Sequence, residues 1–424
     1  MSHFSDLIQL GVTALLAFYV AWNLGANDVA NSMGTSVGSG TLSLKQALLV
    51  AGILEFMGAV LFGHHVSETL ATEVINPTRL ASPQVFLIGM ISVLISCGIW
   101  LQVATCRGLP VASSHAVVGA IAGFSWVAAG TGAVDWSTLG LISVTWLITP
   151  LISGVLAGGF YRLLQRWILN HPQPLQQLQE WIPWLSAGLF TVFGVVVLVP
   201  LFGTDWVTAQ EQRFGVDLPT HDWVLITGGL ATLILTGVSW RRLAAGQHAP
   251  DVDGKTLMEQ QFGRFQVLSA CFVAFAHGSN DVGNAIAPLA AINYVQTTGI
   301  IPLEGLLIPL WVLALGGLGL VAGLAVWGKN VIQTIGQEII SLQPSSGFCA
   351  ELATATTVLM ASRLGLPVST SHALVGGVVG IGLMQSWQSV RLETVRSIGL
   401  AWLITVPVAG SLAAGIFTLL SRTL

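Results

Sequence analysis

Long apolar runs follow one another along nearly the whole chain, separated by short polar connections. A run of about 20 apolar residues is long enough, as an α-helix, to cross the roughly 30 Å of hydrocarbon in a bilayer. A transmembrane β-barrel would show shorter segments of alternating hydrophobicity instead. The pattern therefore predicts twelve transmembrane helices. They lie at residues 7–26, 46–63, 84–105, 109–129, 138–161, 183–202, 223–240, 265–288, 303–327, 347–362, 366–385 and 397–420.

The composition agrees with a membrane protein and narrows its chemistry. Of the 424 residues, 53% are hydrophobic and 8% are charged, so the chain is too apolar for a set of soluble globular domains. The net charge of −4 and the lack of a basic cluster exclude a nucleic-acid partner. The four cysteines form neither a CxxC pair nor a Cys/His spacing, and we expect no cofactor. We infer an all-α polytopic protein embedded in a lipid bilayer.

The positions of the Lys and Arg residues indicate the orientation. With all twelve segments crossing and the N-terminus outside, the cytoplasmic loops receive eleven of these fifteen residues, as the positive-inside rule requires. If 109–129 and 366–385 are re-entrant hairpins instead and the N-terminus is inside, the split is nine to six. We favour twelve crossings, and the re-entrant alternative stays open.

The second half of the chain repeats two motifs of the first half. GANDVAN at 25–31 returns as GSNDVGN at 278–284, and GLPVASSHAVVGA at 108–120 returns as GLPVSTSHALVGG at 365–377. Matches in the same order at nearly one offset indicate an internal duplication. With twelve crossings the two copies have opposite orientations, as in many secondary transporters. We therefore divide the chain into a first inverted repeat (1–165), connecting transmembrane helices (166–240), a polar cytoplasmic linker (241–264) and a second inverted repeat (265–424).

Four carboxylates lie well inside apolar segments: Asp28, Glu55, Asp281 and Glu351. Each costs about 2.5–3.5 kcal/mol at the centre of a transmembrane helix, so an acid kept there is a functional hypothesis by default. Carboxylate and amide oxygens suit a hard cation such as Na+, and a carboxylate can also carry a proton. The alternative is a helix–helix hydrogen bond or a protonated acid. We assign cation or proton coupling to these four residues, with Asp28 and Asp281 as the Na+ ligands if the protein is sodium-coupled.

Glycine and asparagine surround both Asn-Asp pairs. Glycines such as Gly25, Gly34 and Gly278 allow the backbone to leave helical geometry, and a broken helix at membrane depth is tolerated where it faces a cavity. We therefore expect broken helices at the centre of the protein, with exposed backbone groups beside the acids. The neighbouring amides are candidate substrate ligands: Asn27, Asn31, Asn280 and Asn284.

Hydroxyl side chains follow a proline in each copy of the second motif. Pro110 and Pro367 fit a first helical turn, so the hydroxyls after them are expected where free backbone N–H groups gather. Such a helix N-terminus can hold an oxyanion without a fixed positive charge. The alternative is that the hydroxyls bond back to their own helix, which is common in membranes. The candidate oxyanion ligands are Ser113, Ser114, Ser369, Thr370 and Ser371.

Two further patterns predict structural roles. His64 and His65 are adjacent and have no partner four residues away, so we expect them to face a loop rather than to form a metal site. The small-xxx-small spacing of closely packed membrane helices occurs at Gly154, Gly158, Gly376 and Gly380.

The chain resembles the inorganic phosphate transporter (PiT) family of sodium- or proton-coupled symporters. The likeness covers nearly the whole chain. It rests on GANDVANSMGTSVGSGTLSL at 25–44, AFAHGSNDVGNAIAPLAAI at 274–292, the two Pro-Val-x-x-Ser-His stretches and PSSGFCAEL at 344–352. The resemblance implies a transporter, not an enzyme, that imports inorganic phosphate by symport with Na+ or H+ through alternating access. It also implies that the Asn-Asp motifs and the hydroxyls form the transport site, and that Glu55 and Glu351 match acidic positions associated with transport.

The resemblance leaves several properties open. Ser279, Gly283 and Ala287 depart from the family's usual second motif, so sulfate or arsenate remains an alternative to phosphate. The short central linker indicates a microbial type of member, for which we expect a multi-pass protein of the bacterial inner (plasma) membrane. A homodimer is compatible with the sequence, which does not specify the oligomeric state.

The sequence is also compatible with two other function classes, an intramembrane hydrolase and a passive anion channel. An intramembrane hydrolase could use Ser114 or Ser371 with a histidine, but neighbouring Ser and His residues on one helix do not face each other. A passive anion channel would not need the paired acids. Both readings rank below a coupled transporter.

Overall fold

The described part of the chain is almost entirely helical. The computed structural model describes residues 2–107, 111–198, 220–247, 253–303, 305–335, 340, 342–386, 388 and 390–423. In these ranges the α-helices are α1 (Ser2–Gly38), α2 (Leu44–Phe62), α3 (His64–Thr72), α4 (Pro83–Cys106), α5 (Ser113–Ala129), α6 (Trp136–Leu164), α7 (Pro174–Phe193), α8 (Thr220–Gln247), α9 (Gly254–Thr298), α10 (Leu310–Ile335), α11 (Pro344–Arg363), α12 (Thr370–Gln385) and α13 (Leu392–Thr423). One π-helical turn continues α6 and another continues α7.

Capping side chains set several helix boundaries. Ser43 and Gln46 form a reciprocal capping box at the start of α2. Ser82 accepts a hydrogen bond from the third backbone N–H of α4, whose first residue is Pro83. Asp135 accepts two backbone N–H groups at the start of α6. These side chains satisfy N–H groups that have no partner within the helix.

In the described residues, each predicted apolar segment overlaps a helix over most of its length. In the described ranges, eight helices are long and apolar enough to cross a membrane, which agrees with a multi-pass membrane protein. The remaining predicted segments coincide with α5, α9, α11 and α12, which are shorter or more polar, so the count of twelve crossings stays a prediction. The predicted linker 241–264 includes the end of α8 and the start of α9, and its residues 248–252, like 199–202 of the sixth segment, lie outside the described residues.

The face that α6 presents to its surroundings is apolar. Leu147, Leu151 and Val155 recur every fourth residue and are 67–75% exposed. Trp146 and Ser153, on the other side of the helix, are buried. A helix with an exposed apolar stripe and buried polar groups fits lipid outside and protein inside.

The helices that carry the two copies of each motif exchange partners. α1 packs mainly on α10, and α9 packs mainly on α11 and α2, while α5 packs on α13 and α12 on α6. The two helices of the Asn-Asp motifs, α1 and α9, also contact each other. The duplicated halves are therefore interleaved rather than side by side.

Glycines allow these helices to cross closely. A side chain at Gly376 would meet the backbone of Pro150, and one at Gly380 would meet the backbone of Gly154. A Cβ at Gly158 would lie 3.1 Å from the carbonyl oxygen of Gly380. The small-xxx-small prediction is confirmed, since these glycines bring α6 and α12 together.

The prediction of broken helices at the Asn-Asp motifs is wrong. Both α1 and α9 run unbroken through them, and the glycines have a packing role instead. A Cβ at Gly25 would meet the carbonyl of Leu320, and one at Gly278 would meet the carbonyl of Glu55. Small residues are needed there because another helix lies against the backbone.

The chain leaves helical geometry at the second motif. Between α11 and α12, Gly365 has φ +68°, a conformation that favours glycine. Pro367 lies ahead of the N-cap residue Ser369 rather than in the first turn as predicted, because the helix starts only at Thr370. Pro110 lies outside the described residues. The hydroxyl groups nevertheless open both helices, since Ser113 is the first residue of α5.

The expectation for the adjacent histidines is also wrong. His64 and His65 do not lie in a loop but begin the short helix α3, and both are half-buried. Their rings lie 3.9 Å apart between centroids. The helix turns directly out of α2, which keeps the two rings together.

Candidate functional site

Asp28 of α1 and Asp281 of α9 meet at the centre of the helix bundle. One carboxylate oxygen from each, together with a ring nitrogen of His277, lie within 4.8 Å of one another. All three residues are at least 97% buried. The continuous helices α1 and α9 thus bring the acids of both Asn-Asp motifs into one buried cluster.

His277 bridges two of the buried acids. Its Nε2 atom lies 2.9 Å from Oδ2 of Asp281 and its Nδ1 atom lies 3.1 Å from Oε1 of Glu55. A neutral imidazole has one N–H, so both contacts are favourable only if the ring carries two protons or one of the acids is protonated. Three carboxyl groups, those of Asp28, Glu55 and Asp281, share this cluster with a single imidazole. The cluster therefore favours additional cations or protons.

Several acceptor atoms of this cluster have no hydrogen-bond partner among the described residues. They include Oδ2 of Asp28, Oε2 of Glu55 and Oδ1 of Asn284. The other oxygen of Asp28 accepts from the amides of Asn27 and Asn31, at 3.2 Å each. Buried acceptors in native structures are normally paired. Carboxylate and amide oxygens left in this way have the chemistry of a hard-cation site.

Hydroxyl groups at two helix N-termini lie beside the acids. Thr370, the first residue of α12, contacts both carboxylate oxygens of Asp281 at 3.2 Å. Ser113, the first residue of α5, accepts a hydrogen bond of 3.2 Å from Nδ2 of Asn284 and contacts Asp28. The first N–H groups of a helix lack intrahelical partners and favour anions. An anion-binding surface thus adjoins the acidic cluster.

The remaining predicted hydroxyls lie in the same helix turns but do not contact the acids. Ser369 caps α12 by accepting from the backbone N–H of His372 at 3.3 Å, and its hydroxyl lies 2.8 Å from that of Ser371. The hydroxyl of Ser114 is buried and has no partner among the described residues.

Asn280 links the second Asn-Asp motif to the segment before α12. Its amide satisfies three neighbours when the nitrogen faces the carbonyl of Val368 at 2.9 Å and Oδ1 of Asp281 at 3.1 Å, with the oxygen accepting from Ser362 at 3.1 Å. In this orientation Asn280 fixes both the carboxylate and the entry into α12. Asn280 therefore helps to position Asp281 relative to the start of α12.

Glu351 lies in a separate polar network. Ser36, one of its partners, is eight residues beyond Asp28 on α1, or about 12 Å along the helix axis, so the structure does not bring Glu351 into the Asp28–Asp281 cluster. Its buried carboxylate accepts from Thr35 at 2.5 Å, Ser36 at 2.6 Å, Ser269 at 2.8 Å and Gln266 at 3.2 Å.

His277 is a residue of the site that was not predicted from the sequence. It lies four residues before Asp281, which places both on one face of α9. The corresponding position in the first motif is Leu24, so the histidine is not repeated in both motifs. The spacing of four residues between His277 and Asp281 was the available signal. Ser32, which donates to Glu55 at 2.9 Å, was missed as well.

The histidines of the second motif do not activate a serine. The Nδ1 atom of His115 lies 3.1 Å from the carbonyl oxygen of Trp402, and that of His372 lies 2.9 Å from the carbonyl oxygen of Trp146. A serine nucleophile needs a base within hydrogen-bond reach. In the described residues neither Ser114 nor Ser371 has such a base, which argues against a hydrolase.

The chain is similar to known phosphate transporters and permeases over nearly its whole length. The sequence profile of the phosphate transporter family matches residues 24–413. A relative from Pyrococcus horikoshii, provisionally named a phosphate permease, is 37% identical over 409 residues, covering 96% of this chain and 97% of the relative. The chloroplastic inorganic phosphate transporter 2-1 of Arabidopsis thaliana is 39% identical over 425 residues, covering 95% of this chain and 70% of the relative.

A solved structure matches the fold as well. It is described as the sodium-dependent phosphate transporter, has 32% sequence identity and a TM-score of 0.87, and the match covers 98% of this chain and 100% of that one. These proteins are named as transporters or permeases and not as enzymes. The extent of these matches, with both Asn-Asp motifs inside the matched region, shows that the chain belongs to the phosphate transporter family.

Proposed function

We propose that this protein imports inorganic phosphate by symport with Na+ or H+ through alternating access. The observation that carries the proposal is the pairing of two opposite kinds of site at one place. The acids Asp28 and Asp281 lie beside the hydroxyl-bearing N-termini of α5 and α12, which begin at Ser113 and Thr370. A cation site and an anion site in contact are what a symporter of this kind requires.

The cost of moving phosphate explains the need for the acids. Carrying a divalent anion into a cell that is 100 mV negative inside costs about 4.6 kcal/mol, at roughly 2.3 kcal/mol per charge. Cations that travel with the anion offset this cost. Asp28 and Asp281, together with Glu55, supply the negative charge that holds those cations.

Charge also sets the order of binding. An anion that approaches the empty cluster is repelled by the carboxylates. Once Na+ or protons occupy the acids, the bound charge completes the phosphate site formed by the helix N-termini and the amides. The proposed phosphate ligands are Asn27, Asn31, Ser113, Ser114, Asn280, Asn284, Ser369, Thr370 and Ser371.

Two inverted repeats would provide alternating access. The repeats are proposed at 1–165 and 265–424, joined by the helices of 166–240 and the segment 241–264, with twelve crossings in all. The exchanged packing of α1 with α10 and α9 with α2 supports this, because equivalent helices make equivalent contacts across the duplication. Because helices of the two repeats pack together, movement of such mixed groups of helices against each other would open the site to each side in turn.

The name of the solved relative supports a first candidate for the coupling ion. The solved structure is named for its sodium dependence, and oxygen ligands suit Na+, so Na+ is the first candidate and H+ the second. A plasma-membrane location, in the inner membrane of a bacterium, is proposed for this chain. Glu351, outside the central cluster, is proposed to contribute to coupling from its own network.

Uptake of radiolabelled phosphate into proteoliposomes tests the proposal. Three conditions are compared: an inward Na+ gradient, an inward proton gradient and no gradient, with protein-free liposomes as the control. We expect accumulation above equilibrium only with one of the two gradients, and the gradient that works identifies the ion.

Other outcomes would overturn the proposal. Equilibration without any gradient, and no accumulation with one, would mean a passive channel. No accumulation of phosphate under either gradient would mean that phosphate is not the substrate, and accumulation that excess unlabelled sulfate abolishes would mean that the site does not select phosphate over sulfate.

A further inference from the structure

Two histidines and two tryptophans form a closed ring behind the phosphate-facing helix ends. The imidazole of His115 stacks on the indole of Trp146, with centroids 3.8 Å apart, and His372 stacks on Trp402 at 3.6 Å. Each histidine then reaches the other pair: His115 Nδ1 lies 3.1 Å from the Trp402 carbonyl, and His372 Nδ1 lies 2.9 Å from the Trp146 carbonyl. Every member thus touches two others.

The ring joins the two halves of the duplicated chain. His115 and Trp146 belong to the first half and lie 257 and 256 residues before His372 and Trp402. The two imidazoles meet edge to face, with centroids 4.8 Å apart. Each stack is made within one half, whereas each hydrogen bond crosses to the other half. A relative movement of the two halves at this point must therefore either break the hydrogen bonds of the ring or move its four residues together.

The tautomers of the two histidines follow from their partners. A backbone carbonyl is an acceptor only, so each Nδ1 must donate its hydrogen to it. Both histidines are at least 95% buried, and each Nε2 atom is without a hydrogen-bond partner among the described residues. Uncharged rings with a donated Nδ1–H therefore suit these positions. This chemistry holds backbone in place and does not use the rings as bases.

The ring is attached directly to the proposed phosphate ligands. His115 follows Ser114 in the first turn of α5, and His372 follows Ser371 in the first turn of α12. Trp146 makes a further link, because its Nε1–H donates to the carbonyl of Pro367 at 3.1 Å, in the segment that enters α12. The ring thus fixes the first turns of both helices relative to each other.

We propose that His115 and His372 are positioning residues that hold the N-termini of α5 and α12 at the separation required for the transported oxyanion. The inference deepens the proposed function and rests on it. A tetrahedral anion held between two helix ends contacts both only at one spacing, and a shift of about 1 Å is enough to lose such contacts. The ring sets that spacing without touching the anion.

The cyclic arrangement predicts a specific kind of coupling. Opening the ring at either hydrogen bond frees both helix ends, so a second opening should add little. Residues that act independently would instead give additive free energies, and hence multiplied effects on affinity. A double-mutant cycle on the two histidines separates these cases.

The experiment measures phosphate uptake in proteoliposomes under the gradient that drives the wild-type protein. The variants are His115→Phe, His372→Phe and the double variant, since phenylalanine keeps a flat ring but has no N–H. Two conservative variants, His115→Asn and His372→Asn, keep a donor close to the Nδ1 position. For each variant the KM for phosphate, the maximal rate and the half-saturating concentration of the coupling ion are determined.

We expect each phenylalanine variant to raise the KM for phosphate about tenfold, as the loss of one hydrogen bond allows, and the double variant to raise it about tenfold rather than about a hundredfold. The half-saturating ion concentration should change by less than about twofold, because the acids are untouched. The asparagine variants should recover most of the phosphate affinity.

Melting temperatures and size-exclusion profiles are measured for each variant as controls for folding. If a phenylalanine variant does not fold, His115→Gln and His372→Gln replace it, since their longer side chains carry the N–H past the carbonyl.

Three results would overturn the inference: multiplied effects in the double variant, equal changes in the phosphate and ion constants, or normal phosphate affinity in both single variants. If the wild-type protein itself shows no phosphate uptake, the proposed function fails first. Wild-type uptake with any of the three results refutes the positioning role alone.

Discussion

The Nε2 atom of His277 lies 2.9 Å from Oδ2 of Asp281, one helical turn further along α9, while its Nδ1 atom lies 3.1 Å from Glu55. An imidazole between two buried acids reduces their mutual repulsion when it is protonated. It also fixes both carboxylates in position. The central cluster is therefore more than a pair of aspartates, and its histidine is open to a direct test.

Replacement of His277 is expected to impair coupled uptake strongly. His277→Leu, which copies the residue at the equivalent position 24, leaves Glu55 and Asp281 without the ring between them in a buried site, where like charges repel strongly. We expect uptake to fall by more than about tenfold. His221→Gln is the control, because His221 is exposed at the start of α8. Wild-type uptake in His277→Leu would show that the bridge is dispensable.

Neutralising the aspartates should separate binding of the ion from integrity of the fold. Asp28→Asn and Asp281→Asn keep the size of the side chain but remove the charge that holds a cation. We expect concentrative uptake to fall by about a hundredfold or more, because loss of a buried charge contact costs several kcal/mol. Asp222→Asn, in the first turn of α8, is the matched control. If the double variant still concentrates phosphate, the proposed role of these acids is wrong.

Glu351 is expected to matter for both stability and transport. The four donors around it come from α1 and α9, so Glu351→Ala leaves four buried donors without their acceptor. We expect a loss of about 2–4 kcal/mol in stability, seen as a lower melting temperature in detergent. Glu351→Gln should be less destabilising yet still impair uptake. Normal uptake by Glu351→Gln would restrict this residue to a structural role.

The close crossing of α6 and α12 predicts a strong effect of a single methyl group. Gly380→Ala would push a Cβ into the backbone of Gly154. We expect a loss of about 1–3 kcal/mol, typical of overpacking. Gly188→Ala, in α7, has open space around the added methyl and should be neutral or slightly stabilising, since alanine favours helix. Equal melting temperatures for the two variants would contradict the crossing.

Asp135 at the start of α6 predicts a pH-dependent contribution outside the membrane. Hydrogen bonds from Ser137 and Thr138 lower the pKa of this carboxyl below its usual value of 3.8. The carboxylate thus stabilises the fold above the unfolded pKa, and the contribution is lost as the pH falls through the lower, folded pKa. Asp135→Ala should cost about 1 kcal/mol at pH 7. The difference in melting temperature from wild type should vanish at pH values below the folded pKa, and a difference that persists there would exclude the carboxylate as its cause.

The sequence was sufficient for the helices and for the acids at the centre. The length of the apolar runs located each segment, and the cost of an intramembrane carboxylate made Asp28 and Asp281 stand out. Both signals are local, because they depend on what a residue costs in lipid. Neither requires knowledge of which helices touch.

What the sequence did not reveal depends on contacts between distant segments. Gly25 and Gly278 were read as helix breakers, whereas they allow neighbouring backbones to approach. A glycine has both uses, and only the partner helix decides between them. The separate position of Glu351 could not be predicted for the same reason. It depends on how α1 and α11 are aligned with each other, which neither segment specifies alone.

The exchange of partners between the halves has a consequence for how the protein is made. α1 is synthesised more than 270 residues before its main partner, α10, which begins at Leu310. At 5–20 residues per second this interval is roughly 15 s to 1 min. For most of it, Asp28 is in the membrane or at the insertion machinery without His277 and Asp281, which follow it by 249 and 253 residues, and Thr370 is made later still. The first half alone cannot complete the site, so a chain truncated after α8 should be a substrate for membrane quality control rather than half a transporter.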